Sequence, residues 1–367
     1  MRSRRETVFG AVRSIAAILV AIGVATVLIF ITSKEPGKAL YYLLINPVTE
    51  LRQFYGILER MIPLIFTGLG VCIMFSANQF NLAAEGCVLL GAFVSALCAI
   101  YLPLPGVLHV IVSILVGVLA CGIAMLIPAL LNAWLGASVM VSSLMLNYII
   151  LYVAMYFLTY WFADRTQGAL MSFEFKETAL IGKMIPKSQT SWGFVIGLVM
   201  VVIVSLFLYR TKWGYSIRMI GINQKFSVYS GMKVVGIVVL CQVIGGMLAG
   251  MGGAVEMLGY YNRYKWRSLP GYGWNGVTIA ILAKNNPVFV PLAAFFLAYL
   301  NKGCVQMSIK TDVPAEMLEV IQAVIFLFFA AEYFLAKYRQ RIVVKGAMEE
   351  LERPSGDETA RQPEVKE

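Results

Sequence analysis

The sequence predicts an all-α polytopic membrane protein with about ten transmembrane helices, two of them interrupted. Three observations predict it. Of the 367 residues, 59% are apolar and only 14% charged, against about 45–50% and about 25% in a soluble globular domain. Mean hydropathy is +0.77, and several apolar runs are long enough to cross a hydrocarbon core of about 30 Å. The charge that does occur is gathered in the connections between those runs. Too little polar surface remains to cover a water-soluble globule. The same composition excludes a disordered chain, a collagen-like repeat and a disulfide scaffold.

The first apolar run, 15–31, follows Arg2, Arg4, Arg5 and Arg13 and is followed by Thr32-Ser33-Lys34-Glu35-Pro36. No small-x-small cleavage site closes it, so it is expected to be an uncleaved first helix rather than a signal peptide. Further spans are expected at 61–76, 86–101, 108–131, 139–160, 192–209, 235–258, a short one at 270–283, 288–306 and 317–335. Connection charge sets the sidedness. Residues 210–233 hold Arg210, Lys212, Arg218, Lys225 and Lys233, and the segment after the last span holds Lys337, Arg339, Arg341 and Lys345, both without an acid. Ten crossings put both on the N-terminal side, as the excess of Lys and Arg in cytoplasmic loops requires. The stretches 32–60 and 163–190 are then external. Residues 1–14 are expected as a cytoplasmic N-terminus, 15–335 as the membrane domain, and 336–367 as a cytoplasmic, mostly disordered tail.

The net charge of +10 does not indicate nucleic acid, because no even basic face carries it. The six cysteines lie in or beside apolar runs without a CxxC pair and are expected to be packing residues. With His109 as the single histidine, neither a His-based metal site nor a Ser-His-Asp triad is expected.

Irregular backbone at membrane depth is tolerated only where protein or an aqueous cavity satisfies it. Two segments carry that signature. Phe75 to Phe93 sets Asn78, Gln79, Asn81, Glu85 and Gly86 between two apolar runs. Spacing of i, i+4 places Asn81 and Glu85 on one helical face. Glu85 has two readings: a group on a substrate path, or an acid in the first turn of the following helix, where the helix dipole favours it. The second segment, Gly271 to Pro287, opens on a glycine cluster and closes on Asn285-Asn286-Pro287. Such interrupted segments point to a transporter's substrate path. Gly245/Ala249/Gly253 and Gly246/Gly250/Ala254 form small-xxx-small patterns that predict close helix packing. Asn147 and Gln242 fall inside spans, whereas Glu256 and Glu332 lie near span ends and are expected to reach the interface. The cations of Tyr260–Arg267 (Arg263, Lys265, Arg267) fall on the external side, either as solvated ends of an aromatic belt or as a docking surface for an acidic partner.

Four stretches carry a family resemblance in the right order. NLAAEGCVLLGAF (81–93), SSLMLNYI (142–149), WGYSIRMIGINQKFSVYSGM (213–232), and GGMLAGMGGAVEMLG with GYGWNGVTIAILAKNNP resemble permease subunits of bacterial ABC importers for nucleosides and simple sugars. This group is related to the ribose and branched-chain amino acid permeases, and the likeness runs over about 60–335. Two departures stand out: Val139 occupies a position that is often glutamate in nucleoside permeases, and Phe226-Ser227 replaces a pair of alanines. The resemblance implies a type II ABC importer-like bundle in the bacterial plasma membrane, with both termini cytoplasmic. It implies a separate ABC ATPase, a second permease that is a different chain, and an extracellular substrate-binding protein. No cofactor is expected on this chain, since ATP-Mg would belong to the ATPase. The sequence itself holds no GxxxxGK[ST] loop for nucleotide phosphates. On this reading the substrate path includes Asn78, Asn81, Glu85, Asn147, Trp274 and Asn275. The 210–234 loop couples to the ATPase through Arg218, Gly221, Asn223, Tyr229 and Gly231, and Arg263, Lys265 and Arg267 dock the binding protein. The alternative is an ion-coupled secondary transporter that depends on Glu85. No catalytic constellation supports a membrane enzyme.

Overall fold

The computed structural model describes residues 33–314 apart from 167, 186 and 187, and the isolated positions 23, 26, 27, 29, 30, 319, 320, 323, 324 and 327. Residues 29–318 form one compact unit. Residues 1–28 and 319–367 form a second, whose described positions are helical. The predicted first and last crossings fall almost wholly outside the described residues, as do Glu332, the N-terminus 1–14 and the tail 336–367.

A broken helical stretch (Pro36–Leu40, Tyr41–Ile45, Asn46–Thr49) leads into α1 (Leu51–Ser76), α2 (Ala84–Tyr101), α3 (Gly106–Leu135) and α4 (Val139–Phe157). Helix α4 continues as a π-helical turn, Leu158–Phe162. After a long loop come α5 (Gly193–Arg210), the short α6 (Lys212–Ile222) and α7 (Gln224–Tyr229), then α8 (Val234–Tyr260), α9 (Tyr272–Leu282) and α10 (Val290–Lys310). Among the described residues, seven helical stretches are long and apolar enough to cross a membrane: α1 to α5, α8, and Pro287–Lys310. Helix α9 has 11 residues and spans only about 16 Å at 1.5 Å per residue, half a hydrocarbon core. It is a half-helix that completes an interrupted crossing together with the non-helical residues before it, since α10, with Val290 beside Gly68 and Lys302 over Gly56, runs antiparallel to α1 just as α8 does.

Helix α8 is the hub, and its glycines explain why. A Cβ on Gly253 would run into the Val88 carbonyl of α2, and one on Gly245 would meet Met74 and the Gly70 carbonyl of α1. Gly246 and Gly250 face Met125 and Cys121 of α3. The first stripe thus meets α1 and α2, and the second meets α3 through the Met125 and Cys121 side chains and α2 at Gly91, backbone against backbone. Close approach is how apolar helices gain contact where lipid offers no hydrophobic contrast. Helix α1 runs antiparallel to α8 and α2 parallel to it, as the pairings Gly70/Gly245, Phe66/Gly252, Asn81/Gln242 and Val88/Gly253 require.

Two expectations need correction. Residues 51–60 are not external loop, because α1 begins at Leu51. The polar groups there are matched across the bundle: Gln306 donates to Gln53 at 3.1 Å and Arg60 donates to Asn301. Glu256 does not reach the interface. It is buried, and the Tyr272 hydroxyl of α9 donates to it at 3.4 Å.

Outside the helices, residues 163–192 fold back over the end of the bundle through isolated antiparallel bridges at Ala163/Ser172, Glu174/Arg263 and Lys183/Ser191. Tyr264 is buried under this cover, edge-on to Phe93 at 5.3 Å. His109 ties the same loop down, with one ring nitrogen 2.9 Å from the Thr178 hydroxyl and the other 3.1 Å from the Cys98 carbonyl.

Candidate functional site

The two irregular segments meet. Because Asn81 pairs with Gln242 and Val88 abuts Gly253, α2 begins beside the middle of α8 rather than at its end. Residues 77–83 therefore penetrate the bundle as non-helical chain, and their backbone is satisfied by side chains. The Ser143 hydroxyl accepts from the Leu82 N–H at 3.0 Å, and the Asn147 amide donates to the Leu82 carbonyl at 3.0 Å. The Asn147 carbonyl oxygen accepts from the Gly86 N–H at 2.8 Å, and that of Asn81 accepts from Ala83 at 2.8 Å. Asn81 in turn donates to Gln242 at 2.8 Å. The helix starts at Ala84, so Asn81 and Glu85 do not share a helical face.

Glu85 sits in the first turn of α2 and reaches across to the start of α9. Its carboxylate accepts from the N–H groups of Gly271 and Gly273, each at 2.5 Å, and of Trp274 at 3.4 Å. These are donors that a helix N-terminus leaves without intrahelical partners, and a carboxylate there also meets the positive end of the helix dipole. Gly271 stands at φ 83°, a left-handed conformation that favours glycine. A side chain on Gly273 would overlap the Glu85 backbone. Both readings of Glu85 thus meet at one residue: it is a first-turn acid, and it faces the other interrupted segment.

The predicted path residues separate by environment. Asn81, Glu85 and Asn147 are buried and committed to the hydrogen bonds just described. Asn78 is exposed beside the end of α1, at φ 56°. Trp274 is exposed and Asn275 half-buried on the first turn of α9. A group that composition did not signal lies nearer the other end of α1. Glu59, Arg60, Asn301 and Lys302 are half-buried, with Lys302 lying over Gly56. The adjacent acid and base of Glu59-Arg60 had read as loop.

The connection between α5 and α8 is a compact helical hairpin. Thr211 caps α6 by accepting from Gly214 at 3.1 Å, and Asn223 caps α7 by accepting from Phe226 at 3.0 Å. Gly214 packs against the Phe207 and Leu208 carbonyls, and Gly221 against the Ser76 carbonyl, where no Cβ fits. Arg218 lies over the Tyr209 ring at 5.0 Å, and Gly231 turns the chain at φ 74°. Its outer surface mixes Lys212, Asn223, Gln224 and Lys225 with a group of large apolar side chains. Ile222, Phe226, Val228 and Tyr229 are all exposed, Tyr229 at 90%.

At the opposite end Arg263 is engaged internally, with Asp164 at 2.7 Å and Glu174 at 3.5 Å. The Thr166 hydroxyl and the Arg263 guanidinium hold the Asp164 carboxyl down at about 2. Lys265 and Arg267 are exposed, Lys265 over the Tyr261 ring at 4.9 Å. Beside them a pocket of about 360 Å³ is lined by Lys183, Gln189, Tyr261, Asn262 and Lys265 among others. Among the described residues no group of His, Cys, Asp and Glu could hold a metal ion.

The family described as branched-chain amino acid transport system / permease component matches residues 53–330. The glucose ABC transporter permease protein of Haloferax volcanii is 28% identical over 335 residues, covering 89% of this chain and 88% of its own. The guanosine ABC transporter permease protein of Bacillus subtilis is 32% identical over 161 residues, 44% of this chain and 46% of its own. The nucleoside ABC transporter permease protein of Lactococcus lactis subsp. cremoris is 28% identical over 159 residues, 43% of each chain.

Proposed function

The chain belongs to the branched-chain amino acid transport system / permease component family, and on that premise we propose that it forms half of the translocation path of an ATP-driven importer. The carrying observation is the family match from α1 to beyond α10. A nucleoside is the proposed substrate and a simple sugar the next, since two of the similar proteins are named for nucleosides and one for glucose. Glu85, on which an ion-coupled mechanism would depend, is committed to three backbone N–H groups, which favours the ATP-driven reading.

The α6–α7 hairpin is the proposed coupling element. Its acid-free sequence places it in the cytoplasm by the positive-inside rule, with both termini on the same side of a bacterial plasma membrane. Its exposed Ile222, Phe226, Val228 and Tyr229 offer an apolar knob to a groove on an ATPase subunit. Arg218, Gly221, Asn223 and Gly231 shape that knob. Gly221 seats it on the end of α1, so a push on the hairpin is delivered to the backbone beside Asn78. Asn81, Glu85 and Asn147 hold the two helix ends that border the path, and Trp274 and Asn275 stand on its wall. Lys265 and Arg267, with Arg263 anchored behind them, offer positive charge to an extracellular binding protein. The second permease is proposed to be a different chain. Residues 1–14 and 336–367 flank the membrane domain 15–335.

Purification of the tagged chain in mild detergent, with its companions identified by mass spectrometry, tests this reading. A stoichiometric ATPase, lost from the Tyr229→Ala and Phe226→Ala chains while the second permease remains, is the expected result. A chain that purifies without any ATPase under gentle conditions overturns it.

A further inference from the structure

Helices α3, α4 and α5 all present an outer face to whatever surrounds the unit, and those faces differ in chemistry. Helix α3 exposes Leu108, Ile111, Leu115, Leu119 and Ile123, and α5 exposes Leu198, Val199, Val202, Ile203 and Leu206. Both faces are aliphatic along these stretches, with an exposed aromatic only near the helix ends, Trp134 in α3 and Tyr209 in α5, which suits lipid chains flanked by interfacial rings. Helix α4 instead exposes Tyr148, Tyr152, Tyr156 and Tyr160 at 55%, 69%, 55% and 66%. The i, i+4 spacing stacks them in one row, and Tyr156 and Tyr160 have ring centres 5.1 Å apart. No hydroxyl of the four meets a hydrogen-bond partner among the described residues.

An interfacial aromatic belt accounts for Tyr160 and its neighbour Trp161, but not for the whole row. The row runs about 18 Å along the helix at 1.5 Å per residue, over half of a hydrocarbon core of about 30 Å. Its inner end is at mid-depth, because Tyr148 adjoins Asn147, whose amide holds Leu82 and Gly86 at the level of the facing helix ends. A phenol hydroxyl there would lose its water to lipid without compensation. A close helix–helix seam with a second permease is not favoured either, since such seams use small residues. The exposed stripe carries Met145, Tyr148, Ile149, Tyr152, Val153 and Tyr156.

We propose that the tyrosine row of α4 is a water-lined wall of the substrate path, on which the flat face of a neutral ring-bearing solute, a nucleobase or a sugar ring, stacks stepwise from the external rim to the level of Glu85 and α9. This deepens the permease reading and rests on it. Aromatic rings offer a face to a ring of either kind, and the hydroxyls at their edges take up and release the solute's polar groups without charge. A row of equal, moderate contacts suits passage better than one tight site, since a solute that is to leave must not be held too firmly.

The test is cysteine accessibility in the assembled transporter in proteoliposomes. Tyr148→Cys, Tyr152→Cys and Tyr156→Cys are compared with Leu119→Cys and Val202→Cys, the unsubstituted chain giving the background of the native cysteines. A charged, membrane-impermeant methanethiosulfonate is expected to label the three tyrosine positions on the order of tenfold faster than the two controls, because hydrocarbon excludes the reagent. Guanosine or glucose, whichever is transported, is expected to slow that labelling. Uptake should stay within about twofold in Tyr152→Phe and fall about tenfold in Tyr152→Leu, the loss of one ring stack. Labelling no faster than at Leu119→Cys and Val202→Cys overturns the proposal, as does spontaneous disulfide linkage of the tyrosine positions to the second permease without labelling. An ATPase that co-purifies while the tyrosine positions stay unlabelled defeats the track alone. Labelled tyrosine positions in a chain that has no ATPase defeat the importer reading instead.

Discussion

The two interrupted segments solve one problem in opposite ways. At 77–83 the exposed backbone is shared among several neutral side chains: Asn81 from the segment itself, Ser143 and Asn147 from α4, with Gln242 from α8 holding Asn81 in turn. At the start of α9, three backbone N–H groups converge on the single carboxylate of Glu85. Distributed support fails gradually, whereas support from one residue fails at once. The second break also carries charge, so it is the stronger bond while intact and the costlier one to lose.

Substitutions can break this contrast, and the largest effect belongs to Glu85. Glu85→Ala leaves the buried Gly273 N–H and the part-buried Gly271 and Trp274 N–H groups without their acceptor. At about 1–3 kcal/mol for a buried donor and less for the other two, a loss of roughly 3–5 kcal/mol and of transport is expected. Thermal unfolding in detergent checks it, and a melting point unchanged from the native chain would sink the single-support view. Glu85→Gln keeps one acceptor oxygen and removes the charge, so it should fall between the two. Next comes Asn147→Ala, which strips Leu82 and Gly86 of one bond each and should cost about 2–3 kcal/mol by the same measure. Ser143→Ala removes only the acceptor for Leu82 and should cost about 1 kcal/mol. If Ser143→Ala proved as damaging as Glu85→Ala, the support would not be distributed at all.

The smallest effect is expected outside both breaks, at the loop clamp of Asp164 on Arg263. With its carboxyl held at about 2, below the usual value of about 3.9, Asp164 contributes fully above about pH 4 and loses its contribution only as pH falls toward 2. Limited proteolysis within 163–192 should therefore be flat from about pH 8 to about pH 5. Asp164→Asn should raise cleavage modestly across that whole range.

The apolar runs made the long helices legible, because length and hydropathy survive any choice of neighbour. The start of α1 was not legible. Glu59 and Arg60 look like loop residues in one dimension, and only the fold shows Arg60 meeting Asn301 from α10. Both breaks were visible as polar and glycine clusters at membrane depth, but their wiring was not. The i, i+4 spacing of Asn81 and Glu85 assumed a helix covering both, whereas the chain becomes helical only from Ala84. Glu256 was misplaced for a similar reason, since its partner Tyr272 belongs to a different element. The tyrosine row of α4 is plain in the sequence as SSLMLNYIILYVAMYFLTY. Its meaning depends on exposure, which required the fold.

The glycines of α8 carry a mechanical consequence. Where Gly245 meets the Gly70 carbonyl and Gly253 the Val88 carbonyl, backbone rests on backbone with no side chain between to change rotamer. Close-packed contacts of that kind do not deform continuously. Helices α1 and α2 are therefore seated on α8 without side-chain gearing at these points, whereas α3 meets α8 through the Met125 and Cys121 side chains. On the proposed coupling, a displacement applied at Gly221, against the end of α1, would pass through these backbone seats to α8, and the compliance that alternating access requires would fall to the joints around them.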